Sequence, residues 1–374
     1  MPLIKRTHLG FEWLERRELL AGNVAASVSG GNLTIIGDDA NNTISVESLG
    51  AGVVQVRGFN TKINGAFNGL KTFAISGNLE IHMQGGDDLV RVTNLVLPNS
   101  LLLDLGDGND QATTGQTIYA NNSRFANTSA GPLYIAGDLN ILGGPQNDLV
   151  FQSDLHVTGK GTINLGTGID KLHMLPATGD EIVEYGGPLS ISPGANDDNL
   201  NLIGLIVRNN FTVQDTVGEL HAALRQVDVQ GNLSITTGDR LDLIDVRKTN
   251  VTGTFSLNTG ANDDVLRLRV NAARINIDAG DGTDDVQLTN SHANLLAVAL
   301  GSGGDLFNLS ASTFTSISVA GGTGNDQYRV HNTTATDAVF SNLSGNDVFY
   351  DVASAPNQFG SLVLNSITRV TDPY

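Results

Sequence analysis

Apolar residues recur along this chain at alternate positions in short runs, and the runs keep a fixed distance from glycine-aspartate turns. Two and four residues after the aspartate that ends such a turn stand Val90 and Val92, Leu172 and Met174, Leu200 and Leu202, Ile244 and Val246, Leu266 and Leu268, and Val286 and Leu288. Three and five residues before the opening glycine stand Leu233 and Ile235, Phe255 and Leu257, Ile275 and Ile277, and Ile317 and Val319. A period of two turns one face of each run toward a core and the other toward solvent, which is strand behaviour; helical spacing is absent. Each repeat is therefore predicted to carry two strands flanking one turn.

The turns read GDGND, GTGID, GANDD, GDGTD, GSGGD and GTGND in their clearest copies. Counting weaker copies, they end at Asp88, Asp110, Asp148, Asp170, Asp198, Asp242, Asp264, Asp284, Asp305, Asp326 and Asp347, and the last five steps are 22, 20, 21, 21 and 21 residues. Earlier steps are 22, 38, 22, 28 and 44. The 44 reads as two periods with a degenerate turn, the 38 as two shortened coils and the 28 as one coil with an insertion. Asn42, 46 residues before Asp88, reads as two periods away. A repeat of about 21 residues thus runs from near residue 30 to near 368, too short for a propeller blade and lacking the leucine-asparagine framework of leucine-rich repeats.

The fold class that follows is all-β, a parallel β-helix (single-stranded solenoid) of about 21 residues per coil with a short N-terminal segment. Residues 1–22 form that segment and 23–374 the repeat domain. About 15 coils stacked about 4.8 Å apart would make a rod on the order of 70 Å long, of undetermined handedness. Phe307, Tyr328 and Phe349 fall at one inward position in three consecutive coils and predict an aromatic column in the core. Gln152 and Asp351 interrupt the inward pattern, as local irregularities.

Composition narrows the chemistry. With 44 glycines, 40% hydrophobic and 5% aromatic residues, the 374-residue chain suits short strands and tight turns. Its 39 acidic against 21 basic side chains give a net charge of -18, which disfavours nucleic acid as a partner and favours cations. There is no cysteine, so any staple must be a hydrogen-bond ladder or an oxygen-ligated ion. No apolar run approaches the roughly 20 residues of a transmembrane helix, and the N-terminus lacks the apolar stretch of an ordinary signal peptide.

In a solenoid, residues one period apart lie above each other, so Asp264, Asp284, Asp305, Asp326 and Asp347 are expected to form a column. Carboxylates about 5 Å apart repel by roughly 0.8 kcal/mol per pair even in bulk water, which calls for a compensating partner. Glycines at the first and third turn positions permit left-handed backbone and expose carbonyl oxygens, the kind of donor calcium takes. Two segments, GGTGNDQYRV (Gly321–Val330) and LGDGNDQAT (Leu105–Thr113), resemble the calcium-binding nonapeptide GGxGxDxUx of RTX proteins. That resemblance implies a secreted protein with Ca2+ between stacked turns. Its candidate ligands here are Gly106, Gly108, Asp110, Gly166, Gly168, Asp170, Asp264, Gly280, Gly282, Asp284, Gly301, Gly303, Asp305, Gly322, Gly324, Asp326 and Asp347. This chain has one such turn per 21 residues instead of one per nine, so one corner of each coil is available, and copies such as GANDD and GPQND lack the second glycine. The competing reading is that Gly, Asn and Asp only build tight turns whose side chains bond to nearby amides.

Residues 11–21, FEWLERRELLA, resemble the LEPR-XLL-type N-terminal motif of planctomycete surface and secreted proteins, through Leu14, Glu15, Arg16 and the Leu19-Leu20-Ala21 ending; Arg17 departs from it. That implies a sorting or processing signal and an extracellular or cell-surface location. The alternative is an amphipathic helix, with Phe11, Leu14, Leu19 and Leu20 covering the open end of the solenoid.

Enzymatic chemistry on such a rod needs clustered carboxylates or a base beside a bound cation. The outward column three residues after each turn aspartate reads Asp245, Arg267, Gln287, Asn308, Arg329 and Tyr350, with no paired carboxylates. The densest charged patch is Asp239, Arg240, Asp242, Asp245, Arg247 and Lys248 near Arg267 and Arg269; it is where a polysaccharide lyase or hydrolase site would lie, and otherwise a solvated face. Seven histidines are scattered without zinc spacing, only His82 and His173 falling in strands beside clear turns. The expected function is a non-enzymatic secreted or surface structural and adhesive solenoid; extracellular glycans are the expected partner, and a glycan-binding module is the third reading.

Overall fold

The computed structural model describes residues 22–67, 69–116, 131–176, 182–215, 217–352 and 356–372. The described chain is all-β with no helix, a solenoid of about 12 turns of roughly 22 residues each. No described helix is long and apolar enough to cross a membrane.

One turn of the solenoid holds three short strands, not two. Leu89–Thr93 follows the aspartate turn, Leu95–Leu97 comes next, and Leu101–Asp104 leads into the following turn. Each pairs in parallel with its counterpart in the next turn: Leu89 with Gln111, Leu95 with Leu133, and Leu101 with Leu139. A single residue in left-handed conformation makes the corner between the first two strands, as at Asn94, Asp154, Gly204, Lys248 and Asn290. Toward the C-terminal end this corner persists, while the second and third sides merge into single strands such as His292–Ala299 and Thr313–Ala320; Leu243–Asn258 and Val265–Asp278 run through all three sides.

The expected inward pairs are buried, including Val90, Val92, Leu172, Met174, Ile244, Val246, Phe255 and Leu257, all within one continuous apolar core. No single coil could bury that face alone, so stability accrues by stacking. Register places Phe307, Tyr328 and Phe349 in one column, and all three are fully buried. Phe340 packs edge-on against both Tyr328 and Phe349, with centroids 5.6 and 5.0 Å apart. Gln152 does face the core, where its Oε1 accepts the Tyr185 hydroxyl at 2.8 Å. Asp351 accepts from Asn357 at 3.1 Å and pairs with Arg369.

Two steps of the repeat are shorter in coils than the spacing suggests. Gln111 pairs with Leu149, so the 38 residues between Asp110 and Asp148 are one turn with an insertion. Thr43 pairs with Leu89, so Asn42 and Asp88 are also one turn apart. The extra chain in the second case is an antiparallel excursion, Thr43–Gly50 against Val53–Gly58 and that against Leu70–Ala74. At about 4.8 Å per turn, 12 turns reach on the order of 60 Å, not 70 Å.

That excursion, with Asn23–Ser29 antiparallel to Asn32–Ile36, covers the first edge of the solenoid. Val24, Val54, Val56 and Ile63 close over the core there. The segment from Phe11 to Ala21, on which both the sorting motif and the capping helix were expected, lies outside the described residues.

Candidate functional site: the aspartate column

The turn aspartates form the expected column, but they face inward. Asp88, Asp110, Asp148, Asp170, Asp198, Asp242, Asp264, Asp284, Asp305, Asp326 and Asp347 are all at most 3% exposed. In almost every case Oδ1 accepts the backbone N–H of the matching residue one turn earlier. Asp110 takes the N–H of Asp88 at 2.7 Å, Asp284 that of Asp264 at 2.8 Å, and Asp347 that of Asp326 at 2.8 Å. Eleven such bonds, 2.7 to 3.0 Å long, run from Asn42 to Asp347. The aspartate is therefore required by the ladder itself, because a buried N–H at the corner needs an acceptor.

The ladder breaks once, and the break explains the degenerate turn. Leu220 stands opposite Asp198, whose N–H bonds instead to the Glu219 carbonyl at 2.9 Å. Five residues earlier, where other turns put Met83, Leu105, Leu165 or Leu300, this turn buries Asp215. Acid and aliphatic residue have exchanged places.

A second ladder of opposite polarity runs beside the first. At the position just before the aspartate, an Asn or Asp side chain accepts the N–H from the following turn: Asp87 from Asn109 at 2.9 Å, Asn147 from Ile169 at 2.7 Å, Asp263 from Thr283 at 2.8 Å and Asn325 from Asn346 at 2.8 Å. The glycines are fixed just as firmly. Gly280 and Gly301 have φ of +91° and +103°, and a Cβ on Gly301 would overlap the carbonyl oxygen of Gly280. The first-glycine carbonyls are engaged rather than exposed: Gly280 and Gly301 accept from Ser302 and Thr323 at 3.0 and 2.9 Å.

Electrostatics separates the two ladders. The exposed Asp87 carboxylate is held below its ordinary range by the Asn109 backbone N–H. Inside the column desolvation outweighs the same kind of bond. Burial lifts Asp88 and Asp148 to about 8, Asp198, Asp264 and Asp305 to about 7, and Asp110, Asp170, Asp242 and Asp284 to about 6. Asp326 moves in the same direction for the same reason. Neighbouring carboxylates add to the rise at Asp88, Asp148 and Asp305. The second oxygen, Oδ2, of Asp88, Asp110, Asp148, Asp170, Asp198, Asp284, Asp305 and Asp326 is buried with no hydrogen-bond partner among the described residues.

Such oxygens await a proton or a cation, and the position five residues before the aspartate decides which fits. Beside Asp110, Asp170 and Asp305 that position is a buried leucine, Leu105, Leu165 or Leu300, which occupies space that oxygen donors would need. At Asp326 it is Gly321. The three atoms nearest the place a Cβ on Gly321 would fill are the Tyr328 hydroxyl, Asp326 Oδ2 and Asn342 Oδ1, and none of the three has a hydrogen-bond partner among the described residues. Asn342 in turn donates through Nδ2 to Asp347 Oδ2. This corner suits an oxygen-seeking cation; the leucine-lined corners do not. Among the described residues no group of three or more His, Asp or Glu side chains is arranged around a metal position, so any ion here would rely on mixed oxygen donors.

The charged patch is rearranged relative to expectation. Asp242 leaves it for the interior column. Asp245 accepts from Arg225 at 3.2 Å and Arg247 at 2.6 Å, so it is shared between two arginines. Histidines occupy strands beyond the two expected: His156, His221, His292 and His331 as well as His82 and His173. His82 lies 3.0 Å from Asp104, and His173 stacks on Phe151.

No family model, no curated protein and no solved structure matches this chain. Its class rests on its own geometry, a parallel β-solenoid with a buried aspartate column along one corner.

Proposed function

We propose that this protein is a non-enzymatic, secreted or cell-surface structural rod, with calcium stabilising the corner near Gly321. The inward aspartate ladder carries the reading. The most regular chemical feature of the chain is spent on joining each turn to the next, with its carboxylates withdrawn from any substrate. Calcium at the Gly321 corner would be held by Asp326, Tyr328 and Asn342 and would supply the positive charge that these buried oxygens lack. The LEPR-XLL and RTX resemblances support export, and adhesion would use the flanks of the rod.

Two amide variants separate proton from cation. Asn keeps an acceptor oxygen for the ladder N–H but removes the buried charge. Asp305→Asn, beside Leu300, is expected to raise the melting temperature at pH 8 by a few degrees and leave its response to calcium unchanged. Asp326→Asn is expected to abolish any rise produced by calcium. A wild-type melting curve indifferent to both calcium and EDTA at pH 8 would remove the ion from the proposal. Incubation with a panel of acidic polysaccharides is expected to yield no unsaturated product; release of product would overturn the non-enzymatic reading.

A further inference from the structure

Basic residues are scarce in this chain, yet they gather on one flank. In-register pairing places Arg225, Arg247 and Arg269 one above another on three successive turns, with Arg267 directly above Asp245. All four arginines are exposed. Unshielded like charges stacked at the spacing of adjacent strands repel, and exposed Arg-Arg columns do not stabilise a sheet. Asp245 is the local counter-charge, and it is already shared between Arg225 and Arg247. Arg267 and Arg269 have no carboxylate partner among the described residues. They border a groove of about 270 Å³ that Arg247, Gln287, Thr289 and Asn290 also line.

Around the adjacent corner, on the same turns, lies a longer groove of about 610 Å³. Its rim is a chain of amides and imidazole: Asn271 donates to Asn250 at 3.0 Å, and His292 Nδ1 lies 3.2 Å from Asn271 Oδ1. One flank thus offers guanidinium groups at regular steps along the rod axis, with hydroxyl-binding amides beside them. Guanidinium binds carboxylate and sulfate in bidentate fashion, and its repetition along the axis selects a linear polymer over a small anion. Exposed aromatic faces, on which unpaired bases would stack, do not line the arginine groove.

We infer that the Arg225–Arg269 flank is a binding surface for a linear acidic polysaccharide lying along the rod axis, with Arg267 and Arg269 as its main anion contacts. The proposal specifies the adhesive flank of the rod and stands without the calcium corner.

The test uses the full chain and three immobilised probes, polygalacturonate, heparin and single-stranded DNA, with neutral dextran as blank. At about 10 mM ionic strength, where screening extends over about 30 Å, binding to polygalacturonate or heparin is expected and binding to dextran is not. Arg267→Gln/Arg269→Gln is expected to weaken the better of the two by about 10-fold, as loss of charge-assisted contacts requires. Lys71→Gln/Lys160→Gln removes the same charge away from that sheet face and should change it less than about 2-fold. Preference between the two polysaccharides identifies carboxylate or sulfate as the recognised group. Absence of binding to both, equal loss in the two double variants, or tighter binding to DNA than to either polysaccharide would each overturn the inference. Because all four substituted residues are surface-exposed, an unchanged melting temperature verifies that the variants are folded.

Discussion

Gly301→Ala is expected to lower the thermal unfolding midpoint by about 6–10 °C, corresponding to roughly 3–5 kcal/mol of backbone strain and steric conflict. Gly301 has φ of +103°, where an L side chain is strained whatever the space around it. The added Cβ would also meet the carbonyl oxygen of Gly280 one turn below, and that carbonyl is held by the N–H of Ser302. Neither atom can yield without opening the inter-turn ladder on both sides. Gly30→Ala separates the two contributions, since Gly30 has φ of +57° but open space around its Cα. It should lose only about 1 kcal/mol, or about 2 °C. Equal shifts in the two variants would mean that the coils can spread to accept a methyl group, and that the tight stack at the corner is not obligatory. Because a solenoid behaves as a one-dimensional array, hydrogen exchange should locate the damage between Gly280 and Asp305 first.

Much of this fold was legible in the sequence, because alternation and turn spacing are local. Counting from Asp264 and Gly280 puts Leu266, Leu268, Ile275 and Ile277 on the inward face, and all four are buried. The third strand leaves no mark in the sequence pattern because Leu95–Leu97 and Leu205–Val207 are only three residues each, too short to show a period. The 38- and 46-residue steps misled for a different reason. An insertion about one coil long has the same arithmetic as a coil, and only the missing turn midway distinguishes them. For the site, spacing located every aspartate of the column but not its direction. Facing solvent, the carboxylates would repel and call for an ion; facing inward, each meets the N–H of a neighbouring turn. The Asn and Asp residues just before them, such as Asn109, Asn147, Asp263 and Asn325, were legible as turn formers. Their ladder of opposite polarity depends on stacking, which a linear reading does not display.

The column is expected to make this protein more stable in mild acid than in mild base, the reverse of ordinary acid denaturation. Nine of its aspartates have folded-state pKa values of about 6 to 8, against the ordinary 3.8. Between these limits the folded chain binds more protons than the unfolded chain, so the free energy of unfolding must fall as pH rises. Below about pH 4 both states are protonated and these groups contribute no further change. The loss sets in near pH 4, where the unfolded chain gives up these protons, and is complete above about pH 8. Because the groups interact, the column titrates as a set and not as nine separate sites. A melting temperature lower by about 5–10 °C at pH 8.5 than at pH 5 is the expected result in EDTA, measured at constant ionic strength. Calcium should recover more of the difference at pH 8.5 than at pH 5, because burial raises the proton affinity of Asp326 and protons compete better for its oxygens in acid. In Asp326→Asn the recovery should vanish while the slope with pH persists, because Asp88, Asp148 and the leucine-flanked Asp305 still titrate. A melting temperature that is flat or rising between pH 5 and 8.5 in EDTA would show that the second carboxylate oxygens are compensated by something other than protons. The inward column would then have to be reconsidered from its hydrogen bonds upward.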